Sequence, residues 1–200
     1  NGHNVVRFDD RWTQEGDGHA RIHFIVAASG VGKTTYVNNF CIARLHERQN
    51  KQSNLQAGER DDSLGCSWFL SHPLVRIDGA QSLSEGDSAV LDTKLDLTWR
   101  LAQHVRGSSI TGERWRSDAP CLVIDGFNQW NSFDRSRIID ALEPFIRRCN
   151  EVQCAVNIII TTRPNTFKAI ETEIGSKLLT PSGGYIDPMA MRFDLPDLLF

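Results

Sequence analysis

Apolar residues in this 200-residue chain fall into short runs separated by polar stretches. Ile22-His23-Phe24-Ile25-Val26-Ala27, Leu74-Val75-Arg76-Ile77, Cys121-Leu122-Val123-Ile124 and Val156 to Ile160 are nearly continuous apolar segments of strand length. Such runs predict strands buried on both faces. Between them the apolar period changes. Val37, Phe40, Cys41 and Leu45 share one helical side, as do Leu91, Leu95, Trp99 and Ala102. Ile138, Ile139, Leu142, Phe145, Ile146 and Cys149 form a third stripe, interrupted at Pro144, where a kink or restart is expected. Residues 1–20 read as a polar lead-in, 47–66 as a mobile loop, and Gly107 to Pro120 as a second polar connection. Alternating strands and helices predict an α/β fold, with a mainly parallel sheet of about five strands and helices on both faces. No internal repeat is visible.

The first predicted strand runs into Ala27-Ala28-Ser29-Gly30-Val31-Gly32-Lys33-Thr34-Thr35, and a helical pattern follows. This is the strand–loop–helix setting of a phosphate-binding loop, G-x-x-x-x-G-K-[ST], with Ala27 in place of the first glycine. It narrows the fold class to a P-loop NTPase three-layer sandwich. Glycine at 30 and 32 permits turns closed to other residues and lets backbone approach phosphate. Successive N–H groups of Ala28, Ser29, Gly30, Val31, Gly32, Lys33, Thr34 and Thr35 then line an anion nest at a helix start. Lys33 is expected on the β- and γ-phosphates, Thr34 on Mg²⁺, and Thr35 near the α-phosphate.

Two later strands end in residues that suit the same ligand, because parallel sheets gather ligand groups at their carboxyl ends. Cys121-Leu122-Val123-Ile124 ends in Asp125, four apolar residues and an acid, the Walker B form; Asp125 is expected to hold Mg²⁺ through water. Val156 to Ile160 ends in Thr161-Thr162-Arg163, where a guanidinium can meet the γ-phosphate in a bidentate contact.

Ile124-Asp125-Gly126-Phe127-Asn128-Gln129, followed by Ile158-Ile159-Ile160-Thr161-Thr162-Arg163-Pro164, resembles the NACHT domains of the STAND class of signalling P-loop ATPases. The resemblance spans roughly residues 20–195, with 21–195 as the NTPase domain and 196–200 as the start of a following region. It implies an ATP/ADP switch that self-associates in its ATP form and acts through fused effector and sensor domains, in innate immunity or antiphage defence. It also implies adenine contacts near Val5 and Val6. In the family pattern, acidic residues stand where this chain has Asn128 and Gln129. Amides cannot accept the proton of an attacking water, so slow or absent hydrolysis is expected.

Other readings bear on this one. Thr93-Lys94-Leu95-Asp96 has the form of a guanine-reading motif, but it precedes Asp125 and lies in a helical stripe that uses Leu95 for packing. A small-molecule or nucleoside kinase would draw on Asp78 and the pair Arg114 and Arg116. A non-hydrolysing scaffold would use nucleotide only for stability. Net charge −3 indicates neither nucleic acid nor an anionic membrane as partner. Arg135, Arg137, Arg147 and Arg148 read as a wet helix face. The five cysteines include no CxxC pair and the six histidines no metal-ligand spacing. Cys41 and Cys121 read as buried thiols, and reduced thiols point to the cytoplasm. No apolar run reaches membrane-spanning length.

Overall fold

A computed structural model describes residues 20–39, 74–78, 87–107, 119–178 and 192–194. The predicted apolar runs become strands β1 (Ala20–Val26), β2 (Leu74–Asp78), β3 (Cys121–Asp125) and β4 (Val156–Thr162). A three-residue strand, β5 (Arg192–Asp194), was not foreseen. All pair in parallel, in the order β2-β3-β4-β1-β5. β1 and β4 match over their whole length, from Ala20 with Val156 to Val26 with Thr162.

Helix α1 covers residues 33–39 of the described chain. It is followed by α2 (Asp87–Gly107), α3 (Ser132–Glu151) and α4 (Pro164–Lys177). One sheet face presents Ile22, Phe24, Val26, Val75, Ile77, Leu122, Ile124, Ile158 and Ile160 to a single core cluster. That cluster takes in Leu91, Leu95, Trp99 and Ala102 of α2, the Ile138-to-Cys149 stripe of α3, and Phe167, Ile170 and Ile174 of α4. Alternation along the strands sends Arg76, Asp125 and Thr161 to the opposite face. There α1 supplies Thr34 as a partner of Asp125 and Asn38 as a partner of Arg76. The observed architecture is an α/β parallel sheet with helices on both faces. Among the described residues, no helix is long and apolar enough to cross a membrane.

Several expectations need correction. Of the kink or restart expected at Pro144, the restart does not occur, since α3 continues through it as one helix. Pro144 and Asp140, whose carbonyl loses its helical donor, are both exposed, so water can satisfy that carbonyl. Cys121 is half-buried rather than buried, because it starts β3 at the sheet margin. The arginines of α3 are not simply a wet face. Arg135 donates to the Trp130 carbonyl, and the Arg148 guanidinium stacks 3.9 Å above the Trp99 ring. In Thr93-Lys94-Leu95-Asp96, as expected, Leu95 packs in the core, while the exposed Asp96 pairs with Arg100 at 2.7 Å. The lead-in 1–19, Phe40, Cys41 and Leu45, the loop 47–66, Arg114, Arg116 and residues 196–200 lie outside the described residues.

Candidate functional site

Adjacent strands β1 and β4 are followed by helices on opposite faces, and the crevice this opens lies at their carboxyl ends. The Ala27 N–H donates to the Thr162 carbonyl at 3.2 Å, extending the ladder one residue past β1 before the chain turns away. Ala27 itself is buried, its methyl accommodated where the motif's first glycine would stand. Gly30 and Gly32 have φ of +81° and +90°. A Cβ at Gly30 would meet nothing within 4 Å, so backbone conformation rather than crowding demands glycine there. The Tyr36 N–H donates to the Gly32 carbonyl at 2.7 Å, which starts α1. The N–H groups of Lys33, Thr34 and Thr35 thus have no acceptor within the helix and face its open end.

Lys33 folds back over the loop. Its Nζ donates to the carbonyls of Ala27 at 2.8 Å and Ala28 at 2.7 Å. Partial burial, and after it the charge of Arg163, hold this ammonium below the usual lysine range, while Asp125 pulls the other way. Arg163, directly after β4, donates from Nη2 to Ser29 Oγ at 3.2 Å. Two cations therefore flank one glycine-bearing loop whose residues Ala28, Ser29 and Gly30 are exposed and Val31 and Gly32 half-buried.

Asp125, 3% exposed, ends β3 on the α1 side of the sheet. Its Oδ1 accepts from Thr161 Oγ1 at 2.6 Å and from Thr34 Oγ1 at 3.2 Å. Its Oδ2 accepts from Arg76 Nη2 at 2.6 Å, and Arg76 Nη1 donates to Asn38 Oδ1 at 2.8 Å. Thr161 also accepts from the Gly126 N–H at 2.7 Å, so one hydroxyl orients both the carboxylate and the turn behind it. Gly126 has φ +74° and opens the short 3₁₀ turn Phe127–Gln129. Within it Phe127 and then Trp130 anchor to the core, leaving Asn128 half-buried and Gln129 exposed.

The predicted residues Ser29, Lys33, Thr34, Asp125 and Arg163 thus meet at one place. Thr35 is exposed on the first turn of α1. Asp78 ends β2 in register with Asp125, and Val5 and Val6 lie outside the described residues. The sequence motifs assign no role to Arg76 or Asn38 and include Thr161 only as part of the strand end Thr161-Thr162-Arg163. The available signal for Arg76 was a charge inside an apolar strand run.

The oxygen donors of Thr34 and Asp125 suit a hard cation. Among the described residues no three His, Cys, Asp or Glu side chains group to hold a metal by themselves. One carboxylate and one hydroxyl fit Mg²⁺ that takes its remaining ligands from phosphate and water. In comparison with known proteins, the chain matches no family model, no curated protein and no solved structure.

Proposed function

We propose that this chain binds ATP and ADP, with the phosphates in the loop of residues 27–35, and works as the nucleotide switch of a NACHT-like STAND signalling protein. The fold on this reading is the P-loop NTPase sandwich. The observation that carries it is the convergence on one crevice of a left-handed double-glycine loop, Lys33, Thr34, Asp125 and Arg163. Lys33 and Arg163 supply charge for the β- and γ-phosphates, and the α1 N–H groups supply directed donors. Thr34 and Asp125 would hold Mg²⁺, which when bound neutralises charge on the phosphate oxygens.

Arg163 links the loop to the end of β4 through Ser29, so a γ-phosphate that draws the guanidinium away would report the nucleotide state to α4, which begins at Pro164. Asn128 and Gln129 have no carboxylate to take a proton from water, which favours holding ATP over consuming it. Self-association, effector coupling and a cytoplasmic role in innate immune or antiphage defence follow from the family resemblance.

Titration with ATP, ADP and GTP tests this. ATP and ADP bind more tightly than GTP, and Lys33→Ala weakens both by at least about tenfold, the equivalent of losing one charged phosphate contact. Binding unaffected by Lys33→Ala overturns the loop assignment. Fast Mg²⁺-dependent phosphate release overturns the slow-hydrolysis part. Phosphate transfer to a nucleoside makes the protein a kinase, and a monomer at every nucleotide state argues against the switch.

A further inference from the structure

Asp125 is already neutralised by a residue of the chain. Both carboxylate oxygens are engaged: Oδ1 by the hydroxyls of Thr161 and Thr34, Oδ2 by the Arg76 guanidinium at 2.6 Å. The guanidinium does not rest there casually. Its other amine is fixed at 2.8 Å by Asn38, one helical turn beyond Thr34 on α1. Arg76 thus reaches from β2 across to both the strand end that carries the acid and the helix that carries the expected metal-ligating threonine. Arg76 is about one-third exposed and Asp125 almost wholly enclosed, so the pair is short, charge-assisted and shielded on the acid's side.

A divalent cation that uses Asp125 must either share this carboxylate with a guanidinium, against like-charge repulsion, or displace it. Resting on the nucleotide reading above, we propose that Arg76 is a resident counter-cation that competes with Mg²⁺ for Asp125. Nucleotide binding is then only weakly dependent on divalent cation, and firm Mg²⁺ binding requires Arg76 to leave Asp125, loosening the side-chain tie between β2 and the end of β3. Arg76 is a positioning residue: it acts on the metal through Asp125.

The test is the affinity of the protein for ATP in excess Mg²⁺ divided by that in EDTA, measured by calorimetry with circular dichroism as a check of folding. The wild type shows a ratio of less than about tenfold. Arg76→Gln, which removes the charge and keeps an amide for Asn38, raises that ratio by about tenfold or more. Arg76→Lys keeps a cation without the guanidinium fork and gives an intermediate ratio, and it serves if the Gln variant does not fold. Folded variants that bind ATP with the wild-type ratio overturn the role of Arg76 and leave the nucleotide reading standing. A wild-type protein that binds ATP in neither condition overturns both.

Discussion

Thr161 and Thr162 are neighbours with the same side chain, both 0% exposed, on opposite faces of β4. The Thr161 hydroxyl donates to Asp125 and accepts from the Gly126 N–H. The Thr162 hydroxyl is buried and has no hydrogen-bond partner among the described residues. Valine matches threonine in shape, so the two substitutions isolate the hydroxyl. Thr161→Val strands a buried N–H and removes a donor from a buried carboxylate, and costs about 1–3 kcal/mol of stability. Thr162→Val removes a dehydrated hydroxyl and is neutral or stabilising by up to about 1 kcal/mol. Urea unfolding of both variants checks this, and equal losses would contradict the assignment. The sequence shows why the roles at this scale were only partly legible. Lys33, Thr34 and Asp125 sit in a local motif whose spacing carries the chemistry. The role of Thr161 depends on which of two identical neighbours shares a face with Asp125, and that of Arg76 on β2 lying beside β3. Both are facts of sheet register and strand order.

At the scale of elements, α3 carries the clearest helical stripe in the chain, and its buried residues Ile138, Ile139, Leu142, Phe145, Ile146 and Cys149 are those the period selects. Its ends were less legible. The start is set by Asn131, whose side chain accepts from the Asp134 N–H at 2.9 Å and donates to the Asp134 carboxylate at 2.7 Å, a reciprocal cap. The end is a Schellman motif: the Cys154 N–H donates to the Cys149 carbonyl at 2.8 Å and the Gln153 N–H to the Asn150 carbonyl at 3.1 Å. The left-handed position of such a motif normally holds glycine, and its usual signature is missing because Gln153 stands there with φ +54°. Gln153 is exposed, so replacing it forfeits little contact. Gln153→Gly relieves a left-handed side-chain clash of about 1–2 kcal/mol, part of which glycine's freedom in the unfolded chain cancels. A net gain of about 0.5–1 kcal/mol, seen as a raised thermal midpoint, is expected. A loss would mean that the Gln153 side chain contributes more than its exposure indicates.

For the molecule as a whole, the sheet separates chemistry from anchoring. The four long strands and the layered architecture were legible because parallel buried strands are nearly unbroken apolar runs, whereas β5 has only three residues and no such run. The carboxyl edge holds the candidate site. The amino edge is closed by the Ala20 N–H on Asn150 Oδ1 at 3.2 Å, by the Asn157 N–H on the Pro120 carbonyl at 2.9 Å, and by Cys149 and Cys154, both fully buried. Burial first, and the nearby Cys154 second, push the Cys149 thiol from 9.0 up to about 12, against the pull of Arg148. The folded protein therefore keeps this proton in a range where the unfolded chain releases it. With more protons bound in the folded state, stability falls as pH rises from about 9 toward 12, by at most about 1.4 kcal/mol per pH unit from this group. Lys33, held below the usual lysine range, has the opposite sign and gains stability with rising pH. The two are separated by substitution. Cys149→Ala lowers stability near neutral pH through lost packing, yet its stability declines less steeply than wild type between pH 8 and 10 in reducing urea titrations. Because Cys149 lies at the amino edge, away from the loop, Asp125 and Arg163, the proposed nucleotide site predicts that its substitution leaves ATP affinity unchanged at pH 7 in a folded sample. A parallel pH slope in the variant would assign the alkaline decline to other groups, and a changed affinity would mean that the two edges of the sheet are coupled.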